Sequence, residues 1–199
     1  MQRSDQQDSD LMKRVARRDG DALAELYDQH AARVFGLCLR ILNEPQLAED
    51  VLQEVFVRVW ERADSFKRTR GSFTAWLMGI TRNTCIDQLR RLRARPQAAE
   101  IGADEEAFPF EEALADLAAD VPEAAVANER AALIRRAVTA LSREQRLVIE
   151  LSYFRGFTRR EIAKKLQWPE GTVHTRARLA LQNLRQQLTA LGLNPDDPA

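Results

Sequence analysis

Between Gly171 and Arg178 the sequence sets Gly171, Thr172, His174, Thr175 and Arg178 on the outward side of one helix, with Gln182 a turn further on. Such a set suits a polyanion. Glycine lets backbone approach a phosphate, the helix N-terminus adds partial positive charge, and arginine can reach a guanine edge with two hydrogen bonds. Val173, Ala177, Ala180, Leu184 and Leu188 repeat at the helical period on the opposite side and form its buried stripe. Upstream, Thr158 and Glu161 have the spacing of a capping box. They open a short helix that carries Ile162, Ala163 and Leu166 inward, and Trp168-Pro169-Glu170 then turns the chain. A short helix, a tight turn and a longer helix with polar and basic residues outward follow helix-turn-helix logic. A helical hairpin with one solvated face is the plainer alternative.

Two further constellations lie upstream. Residues 65–72 form a basic loop carrying Phe66, Lys67, Arg68 and Arg70, followed by a helix over 73–95 that turns Phe73, Leu77, Ile80, Thr84 and Leu92 inward. Asn83 projects from its flank near Gly79, and the helix ends in Arg90, Arg91, Arg93 and Arg95. Cations at a helix C-terminus complement its dipole. Arginines, a loop aromatic and an exposed amide together are also the equipment for gripping a nucleic-acid strand and holding an unstacked base. The helix over 46–62 has an apolar stripe of Leu47, Val51, Leu52, Val55 and Val59 and a polar one of Asp50, Gln53, Glu54 and Glu61. Val57 sits within the polar stripe and Trp60 at its edge. An apolar pair among carboxylates points to a partner surface; the alternative is a solvated face with one stray valine and Trp60 in the core.

The elements that position these groups read as helices throughout. In 199 residues, 45% hydrophobic and 30% charged, no apolar run approaches a membrane span, and no basic-then-apolar leader opens the chain, so a soluble cytoplasmic protein is expected. Residues 1–9 read as polar and loose. Two helices over 10–42 supply core candidates Leu11, Val15, Leu23, Leu26, Tyr27, Val34, Leu37 and Ile41, with Asp21 as the N-cap of the second and His30 as a surface or internally satisfied histidine. Cys38 and Cys85, far apart in sequence on apolar faces, read as buried thiols rather than a disulfide or metal pair.

Zero net charge hides a pattern. Residues 31–95 hold twelve Lys/Arg against seven Asp/Glu, and residues 128–199 hold thirteen against seven, while 96–127 hold nine acids and no base. Phosphate attraction depends on such local patches. The expected architecture is therefore all-α: two small helical domains, 1–95 and 128–199, joined by an acidic, largely extended linker over 96–127. A short docked helix at Leu114, Leu117 and Val121 is allowed within it, and the tail beyond Gly192 reads as frayed. No phosphate-binding glycine loop, metal-ligand spacing or catalytic cluster appears, so no enzyme, metal or cofactor is expected.

Ala48-Glu49-Asp50-Val51-Leu52-Gln53-Glu54-Val55-Phe56 resembles the polymerase-binding helix of bacterial sigma factors of the extracytoplasmic-function (ECF) group. Gly71-Ser72-Phe73-Thr74-Ala75-Trp76-Leu77, Arg82-Asn83 and Ile86-Asp87 resemble that group's promoter-melting and −10-reading element. Glu161-Ile162-Ala163 and Pro169-Glu170-Gly171-Thr172-Val173 resemble its −35-reading helix-turn-helix.

The resemblance implies a sigma factor acting in a stress or envelope response. Asp50, Gln53, Glu54, Val57 and Trp60 would meet the clamp coiled coil of the largest subunit of core RNA polymerase, and the C-terminal domain would meet the flap of the second subunit. Asn83, Phe66, Lys67, Arg68 and Arg70 would hold a flipped −10 base, and Arg90, Arg91, Arg93 and Arg95 would hold phosphates of promoter DNA. Gly171, Thr172, His174, Thr175, Arg176, Arg178 and Leu179 would lie on the −35 element, and an anti-sigma factor would mask both domains. Many members carry Arg-Ala-Arg where this chain has Leu179-Ala180-Leu181, so arginine contacts do not transfer there. Leu179, on the outward flank, is left to a thymine methyl or an inhibitory partner. A helix-turn-helix regulator with an N-terminal partner domain is the competing reading.

Overall fold

The computed structural model describes residues 2–94 and 124–192, and these are helical with no strand among them. The N-terminal half is built from α1 (Gln2–Ala16), α2 (Gly20–Leu42), α3 (Pro45–Glu61) and α4 (Phe73–Arg93). Helix α2 packs against the other three, and α3 packs against α4. Leu26, Val34, Leu37, Ile41, Val51, Val55, Val59, Phe73, Leu77 and Met78 fill the space between them.

The N-terminus corrects the expectation of a loose segment over 1–9. Helix α1 begins at Gln2, and Asp8 and Ser9 are buried. His30 on α2 explains the capture: its Nε2 lies 3.2 Å from Asp8 Oδ1 in a buried pair joining the two helices. His30 is thus satisfied internally, and its ring also meets Phe73 edge-on at 5.1 Å. The α2 cap is Asp19, not Asp21. The Asp19 carboxylate accepts from the Asp21 and Ala22 amides and from Arg14 Nε at 2.8 Å, whereas Asp21 already lies in the first helical turn. Tyr27 is a second correction. It faces outward and its ring rests on Phe56 at 4.8 Å instead of entering the core.

The α2–α3 corner follows from three adjacent residues. Asn43 adopts the left-handed conformation that ends α2, the Glu44 carboxylate caps α3 through the Gln46 and Leu47 amides, and Pro45 occupies the first turn. Two 3-10 turns, Ala63–Ser65 and Arg68–Arg70, compact the basic loop, which ends at Gly71 with φ of +134°. Only glycine adopts that conformation readily, and Ser72 behind it caps α4. Cys38 and Cys85, distant in sequence, are neighbours across α2 and α4, with Cys85 Sγ 3.6 Å from Cys38 Sγ and both thiols free and buried. The contact with Cys38 and burial push the Cys85 thiol well above its usual pKa, which keeps it unreactive.

The C-terminal half contains α5 (Ala124–Thr139), α6 (Arg143–Ile149) continuing into a single π turn (Glu150–Phe154), α7 (Arg159–Leu166) and α8 (Glu170–Ala190). Residues 124–127, assigned from sequence to the linker, are therefore helical. The rest of the linker, its suggested short helix and the tail after Gly192 lie outside the described residues. Ile134, Ala137 and Val138 of α5 and Ala180 and Leu184 of α8 are buried, and Val148, Leu151, Ile162 and Val173 form a small separate core. Ser142 and Thr158 both make full capping boxes, with Gln145 and Glu161 respectively.

Candidate nucleic-acid interface

Helix α8 presents the face that its periodicity predicts. Gly171, His174, Thr175 and Arg178 are exposed and Thr172 half-buried, while Val173, Ala180 and Leu184 point inward. Gln167 takes the left-handed cap position after α7, and Pro169 stands at the N-cap just before α8, giving the tight turn between the two helices. Two expected contact residues stand apart from the rest. The Arg176 guanidinium lies 4.0 Å over the Trp168 ring, so this arginine braces the turn from a half-buried position instead of standing free with Arg178. Leu179 is exposed on the outward flank, and Leu181 more so.

Glu161 fixes the start of α7. Its carboxylate accepts from the Thr158 amide at 2.6 Å and from the Thr158 hydroxyl at 2.7 Å. These bonds, with Arg93 and Arg90 nearby, hold its pKa below the usual glutamate value. A carboxylate whose folded pKa is depressed stabilises the protein above its unfolded pKa and loses that contribution as pH falls through the folded one. In urea titrations, the stability difference between wild type and Glu161→Gln is expected to be largest near neutral pH and to shrink as pH falls below the ordinary glutamate range. A constant difference would assign the effect to packing alone.

On α3, Asp50, Gln53 and Val57 are exposed along one strip, Val57 by 54%. Glu54 is less free than its spacing implies. Arg58 Nη2 lies 2.6 Å from Glu54 Oε1 and Arg58 Nη1 3.5 Å from Asp87 Oδ2, while Arg91 Nη1 approaches Glu54 Oε2 at 3.8 Å. Glu54 thus ties α3 to α4. Trp60 is half-buried, with the Arg18 guanidinium 5.4 Å from its ring and Arg18 Nη1 donating to its carbonyl at 3.1 Å.

Along α4 the loop aromatic and the exposed amide occupy different places. Phe66 packs on Phe73 at 5.9 Å and on Trp76 at 5.5 Å. Asn83 lies seven residues beyond Trp76, about 10 Å along the axis. Trp76, Gly79 and Asn83 share one side of the helix by spacing, and a Cβ built on Gly79 would meet nothing within 4 Å. Phe66 and Asn83 therefore do not close directly on each other; Trp76 and the bare Gly79 backbone lie between them. In the basic loop, Arg68 Nη1 donates to Gln6 Oε1 on α1, while Lys67 and Arg70 are exposed. Arg95 lies outside the described residues.

The arginines of α4 do not all face water. Arg82 Nε donates to the Tyr153 carbonyl at 2.6 Å and its guanidinium covers the Tyr153 ring at 3.6 Å. Arg90 Nε donates to the Gly156 carbonyl at 3.2 Å, and Arg93 Nη2 donates to the Arg155 carbonyl with its guanidinium 3.9 Å over Phe157. Burial lowers the pKa of both Arg82 and Arg93. Among the described residues, no group of three or more His, Cys, Asp or Glu is placed to hold a metal ion.

Two family models match this chain, sigma-70 region 2 over residues 26–95 and sigma-70 region 4 over residues 131–184. The ECF RNA polymerase sigma factor SigK of Mycobacterium bovis (strain BCG) is 33% identical over 178 residues, covering 89% of this chain and 91% of the relative. The chain belongs to the ECF RNA polymerase sigma factors. SigL of Mycobacterium tuberculosis, also an ECF sigma factor, is 36% identical over 185 residues, 90% of this chain and 99% of SigL. Among solved structures, Rhodobacter sphaeroides SigE in complex with the anti-sigma ChrR is 33% identical, covering 88% of this chain and 94% of that one, with a TM-score of 0.40.

Within this sigma factor, helical spacing had already placed the strip on α3 and the outward face of α8. It missed Arg82 as a member of the α4 arginine set and Tyr153, Arg155 and Gly156 as its acceptors. The i, i+4, i+8, i+11 spacing of Arg82, Ile86, Arg90 and Arg93 was the available signal for a shared face. The carbonyls opposite leave no trace in residue type. No described helix is long and apolar enough to cross a membrane.

Proposed function

We propose that this ECF sigma factor docks on core RNA polymerase through the Asp50, Gln53 and Val57 strip of α3, on the clamp coiled coil of the largest subunit. In the same reading it captures the non-template −10 strand along α4 and the basic loop, and reads the −35 element with α8. The domains divide as 1–95 and 124–199, the second opening with α5 instead of at residue 128, and the second meets the flap of the polymerase's second subunit. The observation that carries the reading is Val57, an apolar side chain more than half exposed amid carboxylates on a helix within the region 2 match. An anti-sigma factor that covers these faces belongs to the same proposal; Rhodobacter sphaeroides SigE is itself found in complex with the anti-sigma ChrR.

Run-off transcription with purified core polymerase on a randomised promoter library tests it. Transcripts that start downstream of enriched −10 and −35 sequences only when the chain is added are expected. Equal transcription with and without the chain would remove the reading.

Gly79 gives a sharper test of α4. Glycine to alanine inside a helix stabilises by about 0.5–1 kcal/mol, and here the added methyl has open space. Gly79→Ala is therefore expected to raise the melting temperature while lowering permanganate reactivity of −10 thymines, because the methyl occupies the approach between Trp76 and Asn83. Higher stability with unchanged promoter opening would take the base away from this side of the helix.

A further inference from the structure

Arg82, Ile86, Arg90 and Arg93 fall on one stripe of α4, and all four meet the segment 153–157 of the C-terminal half. The chemistry of that segment is unusual for a protein surface. The π turn ends at Phe154 and the chain then leaves the helical path, so the Tyr153, Arg155 and Gly156 carbonyls lie where no following helical turn supplies amides. Carbonyls at a helix C-terminus carry partial negative charge, and here each accepts from a guanidinium. Two of the three guanidinium groups also lie over an aromatic ring, Tyr153 or Phe157. A row of partially negative carbonyl acceptors flanked by flat rings imitates, without the full charge, what a single strand of nucleic acid offers these arginines, phosphate oxygens beside base faces.

The fit is specific at its centre. Gly156 has φ of +67°, and a Cβ built there would lie 2.8 Å from Ile86 Cγ2. While the two halves are in contact, the Cγ2 and Cδ1 atoms of Ile86 leave no room for a side chain at position 156, and the left-handed backbone there favours glycine. Ile86 and Phe154 belong to one continuous buried cluster, so the contact has an apolar component as well.

We infer that the segment 153–157 is an intramolecular ligand for the arginine stripe of α4, occupying the surface that would take the −10 strand and closing the free sigma factor against promoter DNA. The inference rests on the −10 role proposed for α4. Nucleic acid and the C-terminal half then compete for the same guanidinium groups. A sigma factor outside the transcription complex consequently has its melting surface covered by its own second domain, and binding of DNA requires the halves to part.

The built Cβ at position 156 lies 3.6 Å from Ile86 Cβ, within the range of about 3.5–4.5 Å for a disulfide. The full chain carrying Ile86→Cys with Gly156→Cys therefore provides a reversible lock. Two thiols are oxidised to one disulfide by added oxidised glutathione, which leaves as two reduced glutathione thiols, and dithiothreitol reverses the bond. The cross-link is expected to form in the native chain without denaturant. The oxidised form should bind a labelled single-stranded −10 oligonucleotide about tenfold or more weakly than the reduced form of the same protein, and should initiate poorly with core polymerase until reduced. Failure of the native chain to cross-link, or equal oligonucleotide binding and initiation in both redox states, overturns the inference.

Tyr153→Ala approaches from the other side without a cysteine. Losing the ring over Arg82 should tighten oligonucleotide binding by about threefold or more and increase the radius of gyration in solution scattering. Unchanged binding and size would also overturn it. If the reduced lock and wild type both fail to initiate with core polymerase, the proposed function fails, while cross-linking yield and scattering still decide the contact.

Discussion

Gln53→Ala combined with Val57→Ala is expected to lower affinity for core RNA polymerase by about thirtyfold or more while leaving the melting temperature of the free chain nearly unchanged. Both side chains are exposed and neither belongs to the buried core, so truncation removes little internal packing. Exposed substitutions of this kind change stability by about 0.5 kcal/mol at most. An apolar anchor at the centre of an interface, by contrast, costs about 2 kcal/mol or more on truncation, and each 1.4 kcal/mol is about a factor of ten. Titration of labelled polymerase, read beside a thermal melt, separates the two quantities. Glu54→Ala serves as the contrast. Because Arg58 and Arg91 converge on Glu54, its loss should loosen α3 from α4 and reduce stability and affinity together. Binding within twofold of wild type for the Gln53/Val57 double variant would move the docking surface off α3.

The largest effect on folding is expected from Phe73→Ala. Phe73 is fully buried at the start of α4, with rings of His30 at 5.1 Å, Phe66 at 5.9 Å and Trp76 at 6.0 Å around it. Removing a buried phenylalanine costs about 3–5 kcal/mol, a large part of the roughly 5–15 kcal/mol that holds an ordinary domain together. The loss has a functional side as well. Phe73 is the surface on which Phe66 rests, and Phe66 in turn fixes the basic loop against α4. Phe73→Leu, which keeps much of the volume, should retain most of the stability and still free Phe66. Urea unfolding followed by tryptophan fluorescence checks both variants. A loss below about 1 kcal/mol for Phe73→Ala would show that the ring cluster contributes little to the fold.

Much of this molecule was legible in the order of its residues because helices write their own faces. The buried stripe of α8, the apolar side of α3 and the two capping boxes depend on interactions within three or four residues, and spacing alone exposes those. The helix-turn-helix pattern and the exposed Val57 were readable for that reason, whereas the family motifs were readable only as a resemblance.

What spacing could not reveal was every feature created by two distant segments meeting. Asp8 looked like part of a solvated terminus until His30, on another helix, gave it a buried partner. Glu54 looked free until Arg58 and Arg91 closed on it. Cys38 and Cys85 read as separate core thiols, and only the packing of α2 on α4 made them neighbours. Arg90 and Arg93 carry the right charge for phosphate in any arrangement. That they are seated on the carbonyls of residues 155 and 156 follows from backbone geometry, since every residue type has the same carbonyl and only the fold decides which of them face a guanidinium.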